Sequence, residues 1–496
     1  MTKETHKFTK HDALKALGTL LILAIGYKFG IPAFTIYSAK HDLEKIGVPF
    51  SEQKFVESAC NGDQGTVQLF VQADMNINVL AAPGKNDGMP KSALHCAASQ
   101  GRTTMAKSLI EQGANINIQD EEGNTPLWYV AKSGGISKDG VNHSIEMATL
   151  LIKHKADVNL QGDKGGPFLT AIASNQTELA DYLIEKGADV KSRNKEGYTA
   201  LMAIAQNYYG SNKTDRIERA RGLVKAGVDV NAQTKTGYTA LTIACSTRQY
   251  PMIEALLDLG ADPNISNSSG QTVIISSLYD PETFNLLIKH GANLNVKVNG
   301  STLLHQAIIS NNSSILSLLL ASGKIDVNAK NDNGDTALFL TTLRGNGGVM
   351  QQLLVNGANP NITNTQLQTP LTRSVINNAI DLTRILIEWN SNINAKDING
   401  HTALFYAKQR YENISNSQSY ANKPIIYDGK VFTPEQAPMP ERPMPATAPS
   451  SGRDGETWRR LSPPNYRTLP PLPVMSSKAP STDPMIDLLV KAGAHL

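Results

Sequence analysis

A short phrase, G-x-T-x-L, recurs along this chain at near-constant spacing, and it limits the fold more than any other feature. It appears as Ser92-Ala93-Leu94, Thr125-Pro126-Leu127, Thr199-Ala200-Leu201 and Thr239-Ala240-Leu241. It continues as Thr336-Ala337-Leu338, Thr369-Pro370-Leu371 and Thr402-Ala403-Leu404, with weaker copies at Gly166-Pro167-Phe168, Thr272-Val273-Ile274 and Thr302-Leu303-Leu304. The third residues of these copies are separated by 33, 41, 33, 40, 33, 30, 34, 33 and 33 positions. A second phrase, G-A-[DN]-x-N, closes each unit. Fixed self-similarity of this kind means stacked supersecondary units that share one continuous core, because a single unit cannot bury its own apolar face.

Each unit reads as two helices and a turn. Leu94-His95-Cys96-Ala97-Ala98 and Leu241-Thr242-Ile243-Ala244-Cys245 place a leucine and two small residues on one helical face, so a neighbouring helix can approach closely. A second helix follows, as in Met105–Ile110, with apolar residues at helical spacing. A glycine stop such as Gly113 or Gly260 ends it. Thr before Pro or Ala suits the start of the next first helix, where its hydroxyl caps a free amide.

The period near 33 together with this phrase resembles the ankyrin repeat family. The resemblance implies an all-α fold: an ankyrin-repeat solenoid of helix-turn-helix units joined by β-turn fingers, with about eleven repeats over residues 51–409. Phe55–Asp63 resembles the first helix of a leading unit that lacks the T-P-L opening. The helix begun at Leu404 runs into different sequence near Arg410, and its missing partner reappears as Asp483–Ala494. Residues 410–482 are therefore read as a disordered, proline-rich insertion, and 483–496 as the second helix of the last repeat. Lengthening a loop from about 7 to about 73 residues costs only about 2 kcal/mol.

The 496 residues carry a net charge of +3 with 18% charged residues, too balanced for a nucleic-acid binder. Cys60, Cys96 and Cys245 fit no metal or disulfide spacing, and Cys96 and Cys245, near or in the small-residue slots of first helices, read as small buried hydrophobes. No P-loop, H-E-x-x-H, C-x-x-C or G-x-S-x-G phrase is present. No catalytic, cofactor or metal site is expected, and the chain reads as a non-enzyme. His95 and His305 occupy the histidine slot of T-P-L-H, where the resemblance implies a ring that ties neighbouring turns together.

Residues 16–39 contain one charge, Lys28, and follow a basic tail over residues 1–15 with Lys3, Lys7, Lys10 and Lys15. A spanning helix needs about 20 mainly apolar residues. Three readings stand: a single-pass membrane anchor with a cytoplasmic N-terminus, a cleaved signal of a secreted protein, and a helix packed on the first repeat. The anchor is the expectation taken forward.

The function expected is a membrane-tethered interaction scaffold that binds a protein partner on the concave face of the array. The alternative is a secreted effector acting on partners in another cell. The resemblance places the turn tips on that face, and Glu121, Arg193, Lys195 and Lys235 are the candidate contacts there. Tyr208 and Tyr209, in a long loop between paired helices, are candidate aromatic anchors. Within the insertion, Arg467-Thr468-Leu469-Pro470-Pro471-Leu472-Pro473 resembles a ligand of Src-homology-3 domains. A polyproline helix has about three residues per turn, so Leu469 with Pro470 and Leu472 with Pro473 form two ridges and Arg467 meets an acidic pocket.

Overall fold

The structure is a computed structural model that describes residues 32–82, 90–133, 143–206, 213–421, 425–427, 430–432 and 483–495. It divides into two compact units, Met1–Leu294 and Asn295–Leu496.

Among the described residues, the first unit contains a leading helix α1 (Pro32–Lys45) and seven helix pairs. These are α2 (Glu52–Asn61) with α3 (Gln64–Gln72), α4 (Ala93–Ser99) with α5 (Thr103–Glu111), and α6 (Pro126–Ser133) with α7 (Ser144–Lys153). Then come α8 (Pro167–Ala173) with α9 (Thr177–Glu185), α10 (Ala200–Gln206) with α11 (Lys213–Lys225), and α12 (Ala240–Ser246) with α13 (Tyr250–Asp258). In the seventh pair, α14 (Val273–Ser276) is short and runs through a 3-10 turn into α15 (Pro281–Lys289). The second unit opens with a two-stranded finger, β1 (Lys297–Val298) and β2 (Ser301–Thr302). It continues with α16 (Leu303–Ile309) and α17 (Ser313–Ser322), α18 (Ala337–Arg344) and α19 (Gly347–Val355), and α20 (Pro370–Ile376) and α21 (Ile380–Glu388). The last elements are α22 (Ala403–Ala421), a hairpin of β3 (Ile425–Tyr427) and β4 (Lys430–Phe432), and α23 (Pro484–Lys491).

The repeated phrase explains the first helices. Ser92, Thr239, Thr302, Thr336 and Thr369 sit in extended backbone, and each side-chain oxygen accepts the N–H three residues on. The helices they start are short because their job is packing: Ala97, Ala98, Ala244 and Ala307 are all buried against neighbours. Larger side chains fill the space between the two helices of a pair, with Phe55, Phe70, Phe168, Phe284, Met105 and Met147 buried. Each such side chain contributes about 2 kcal/mol when fully buried.

An asparagine at the end of each G-A-[DN]-x-N phrase stitches consecutive repeats. Asn159 Oδ1 accepts from Asp189 N–H at 2.8 Å while its Nδ2 donates to Gly187 O at 3.0 Å. Asn117, Asn231 and Asn264 make the same pair of bonds in the first unit, and Asn295, Asn328 and Asn361 in the second. Lys191 occupies this position in the fourth repeat. At the other end, Asn394 bonds to Gly493 O at 3.3 Å and to His495 N–H at 2.9 Å. Arg410 also reaches Asp483 Oδ2 at 3.2 Å and Val375 O at 2.8 Å, and α23 packs on α22 and α21.

The expected membrane span is corrected. Residues 16–31 lie outside the described residues, and 32–39 belong to α1. Among the described residues no helix is long and apolar enough to cross a membrane. The physical reason is visible in α1: it has only 14 residues, and its second half carries Lys40, His41, Asp42, Glu44 and Lys45. Ala39 and Leu43 are buried and α1 packs against α3, while Lys40 lies 4.6 Å over the Phe50 ring. Single-pass membrane localisation is therefore not supported.

The cysteine reading is also corrected. Cys60 of α2 and Cys96 of α4 form a disulfide with Cα atoms 4.7 Å apart. Stacking brings first helices of successive repeats side by side, so residues 36 apart meet. Cys245 remains a buried free thiol, pushed up to about 12 by burial. In the region read as an insertion, α22 continues to Ala421 and the β3–β4 hairpin follows.

Candidate protein-binding site

The fingers between repeats are built from one short polar residue each. Asp120, Asn194, Asn267, Asn331, Asn364 and Asp397 each fold back so that one oxygen accepts the N–H groups two and four residues on, at 2.8 to 3.0 Å. This closed turn leaves little freedom at the tip. Neighbouring fingers are then linked by backbone bonds. In the first unit Asp163 N–H reaches Glu122 O at 2.8 Å, Lys195 N–H reaches Asp163 O at 3.1 Å and Lys235 N–H reaches Glu196 O at 2.9 Å. In the second unit Asp332 N–H reaches Gly300 O at 3.0 Å and Ile398 N–H reaches Gln366 O at 3.0 Å. The contact is close enough that a Cβ on Gly237, which sits at φ +82, would lie 2.6 Å from Asn267 Cα.

Two kinds of side chain fasten the fingers to the helices. His95 Nδ1 accepts from Ser92 N–H at 3.1 Å and its Nε2 bonds to Asn124 O in the next finger at 3.0 Å. His305 does the same with Thr302 Oγ1 and Asp335 O, at 2.7 and 2.9 Å. Burial lowers both imidazoles, His95 to about 4. These histidines are neutral structural ties, as the resemblance implied. A tyrosine nine positions after the finger acid makes the second fastening. Tyr129 OH donates to Asp120 Oδ2 at 2.7 Å, and Tyr406 OH donates to Asp397. Burial works to raise both carboxyls, but these hydroxyls and nearby backbone N–H groups hold them below the usual carboxylate range.

Of the charged tip residues singled out in the sequence, Arg193, Lys195 and Lys235 have acidic partners, and Lys164 follows the same pattern. Lys164 pairs with Glu122 at 2.8 Å, Lys195 with Asp163 at 3.2 Å and Lys235 with Glu196 at 3.5 Å. Arg193 lies 3.6 Å from Asp229. Each lysine thus meets the acid of the preceding finger, a regular alternation that the sequence alone conceals because the partners are 32 to 42 residues apart. Such exposed pairs contribute about 0–1 kcal/mol and leave the charges accessible. Glu121 is exposed at its tip. Tyr208, Tyr209 and the segment Arg467–Pro473 lie outside the described residues.

The sequence reading missed the apolar tips of the second unit. Leu367 stands where other fingers carry the positive-φ glycine, at φ +55, and is 49% exposed. Ile398, on the adjoining finger, is 65% exposed. The signal available was a leucine in the finger glycine slot of Asn364-Thr365-Gln366-Leu367-Gln368. Among the described residues no group of three or more His, Cys, Asp or Glu side chains is placed to hold a metal ion. A cleft of about 500 Å³ in the second unit is lined by Asn311, Asn312, Asn346 and Arg344, with Arg344 its single charged group.

Short capped helix pairs, asparagine stitches and linked fingers define a repeat solenoid built to present a surface. Comparison with known proteins agrees. The family model "Ankyrin repeats (3 copies)" matches residues 55–162, 136–214, 168–267, 272–362 and 338–416, so the chain belongs to the ankyrin repeat family. Repeats of this family are typically interaction modules, not catalysts. The chain is 29% identical over 167 residues to putative ankyrin repeat protein L371 of Acanthamoeba polyphaga mimivirus, covering 32% of this chain and 22% of the relative. It is 30% identical over 168 residues to the mouse B-cell lymphoma 3 protein homolog, covering 32% and 37%. It is 33% identical over 138 residues to putative ankyrin repeat protein YahD of Escherichia coli K12, covering 26% and 69%. The chain thus spans less than a quarter of the length of the mimivirus relative and about a third of the mouse one.

Proposed function

We propose that this protein is an interaction scaffold that holds a protein partner across its finger tips and the first-helix face behind them, the concave face that the family resemblance implies. Leu367 carries the reading. A leucine in the left-handed region costs about 1–2 kcal/mol relative to glycine, and half of its surface remains exposed. Strain kept at an exposed tip, beside the still more exposed Ile398, suits a side chain whose contacts lie on another molecule. Within the first unit, Glu121, Arg193, Lys195 and Lys235 would offer a separate polar tip surface that selects partners by charge more than it adds affinity.

A photo-crosslinking side chain at Ile398 tests this in the producing cell, with one at Glu254 on α13 as the control. The expected result is one protein captured only from the tip position. Leu367→Asp should weaken binding of that protein at least tenfold, and Leu367→Gly should weaken it while making the fold more stable. Binding unaffected by Leu367→Asp would overturn the reading.

We also infer that residues 410–482 are inserted within the last repeat. The Arg410–Asp483 pair and the Asn394 bonds to Gly493 and His495 support this. On that reading Arg467, Leu469, Pro470, Leu472 and Pro473 offer a second docking segment for an Src-homology-3-type domain. Loss of binding to such a domain in Arg467→Ala is its test.

A further inference from the structure

In the first unit a cavity of about 260 Å³ lies where the paired helices of the fifth and sixth repeats turn. Arg216, in the first turns of α11, lines it while being only 9% exposed. One guanidinium nitrogen, Nη2, donates to Ile204 O at 2.7 Å and to Gln249 Oε1. Its Nε is buried with no hydrogen-bond partner among the described residues. Burial lowers the proton affinity of this group, and no carboxylate among the described residues offsets it. A buried cation left this way is costly unless a counter-ion joins it.

The rest of the cavity supplies what a counter-ion needs. Arg248 lines it with an exposed side chain whose Nε is 3.9 Å from Asp280 Oδ2, at the edge of pairing distance. That acid is already engaged by Thr283 Oγ1 at 2.8 Å and Tyr250 OH at 3.3 Å. The nine-residue helix α13 begins at the cavity, and its N-cap residue Gln249 makes no side-chain cap bond. Among the described residues, Tyr250 and the apolar Ile217, Pro251 and Met252 make up the rest of the lining. Two guanidinium groups suit an oxyanion, whose planar carboxylate form they match bidentately. The apolar lining suits a hydrocarbon stem behind it and disfavours a bare inorganic phosphate. The second unit gives a comparison: half-buried Arg410, bonded to Val375 O, has the same partnerless buried Nε but pairs through its other nitrogens with the carboxylate of Asp483, a counter-charge that Arg216 lacks among the described residues.

We propose that this cavity is a carboxylate-binding site, with Arg216 as the buried anchor and Arg248 as the outer guanidinium. Its ligand is a carboxylate on an aliphatic stem, from a small free acid or from an acidic side chain of a bound polypeptide. The site stands independently of the finger-tip face, since it uses neither the fingers nor the second unit.

The test follows arginine Nε–H resonances of the full chain during titration, with Arg216→Lys used for assignment. The probes are sodium butyrate and a capped hexapeptide containing one glutamate, each at constant ionic strength. Sodium chloride and 1-butanol are the controls. The Arg216 Nε–H signal should move saturably with at least one carboxylate and with neither control. Arg248→Gln, a change at an exposed side chain, should weaken that response at least fivefold. Saturation by butyrate alone identifies a free acid as the ligand class, and saturation by the peptide identifies a polypeptide side chain. No saturable response to either probe, an equal response to chloride, or indifference to Arg248→Gln would overturn the site.

Discussion

At the scale of single residues, His95 makes stability depend on pH in a defined window. Its Nδ1 accepts from Ser92 N–H, so the ring proton sits on Nε2 and holds Asn124 O. Burial lowers its pKa from 6.5 to about 4 in the folded chain. Between those values the unfolded chain binds more protons than the folded one. The contribution is therefore fully present above about pH 6.5 and is lost as pH falls toward 4, roughly 3 kcal/mol over the window. His305, also lowered by burial, adds a dependence of the same sign in the second unit. Urea-unfolding midpoints should fall between pH 7 and pH 4.5. In His95→Gln the midpoint should start lower and fall less over the same range. Parallel falls in the two proteins would show that the tie at His95 does not titrate as its burial requires.

At the scale of elements, the repeat stitches differ in strength, and the fourth repeat has the odd one. Asparagine both accepts from and donates to the next repeat, as Asn159 and Asn231 do. Lys191 has no acceptor to offer Asp229 N–H, and its Nζ sits close to Gly227 instead. Lys191→Asn should restore both bonds at about 1 kcal/mol each. Slower amide exchange at Asp229, with exchange at Asp262 unchanged, is the expected readout, and equal exchange in both proteins would deny the stitch its energetic role. Much at this scale was legible in the sequence. The Thr caps, glycine stops and small-residue faces depend on neighbours a few positions away, and the local order of residues reports them. What was not legible depends on register across a whole repeat. Cys60 and Cys96 carry no local signature, and only the stacking of α2 on α4 brings them together. Lys195 and Lys235 read as free tip charges until the fingers align and place Asp163 and Glu196 beside them. The N-terminal reading failed for a related reason: counting apolar residues through Ala39 ignored that Ala39 and Leu43 lie one turn apart on a face that α3 covers. Leu367 was passed over because a leucine in the finger glycine slot stands out only when the fingers are aligned across repeats, and its left-handed backbone then sets it apart.

At the scale of the molecule, a chain built from nearest-neighbour interfaces gains stability from each added repeat only while its ends are covered. The second unit ends on α23, whose Met485 and Leu489 are buried and whose first turn receives the Asp483 cap. If residues 410–482 are inserted, the last repeat is made of pieces far apart in sequence, and its two halves should respond oppositely to shortening. Replacing residues 433–482 with a short Gly-Ser linker keeps Arg410 and Asp483. It reduces the loop about threefold and should stabilise the last repeat by about 1 kcal/mol. Ending the chain at residue 482 instead removes two buried side chains, each contributing about 2 kcal/mol. It also leaves Arg410 without its carboxylate, so exchange along α21 and the first turns of α22 should accelerate strongly while α16 and α17 hold. Faster exchange in the linker variant, or no change in the truncated one, would mean that α23 is not the second half of that repeat and that residues 410–482 should be read as a tail. The contrast is sharp because one variant keeps α23 and loses the intervening loop, and the other keeps that loop and loses α23.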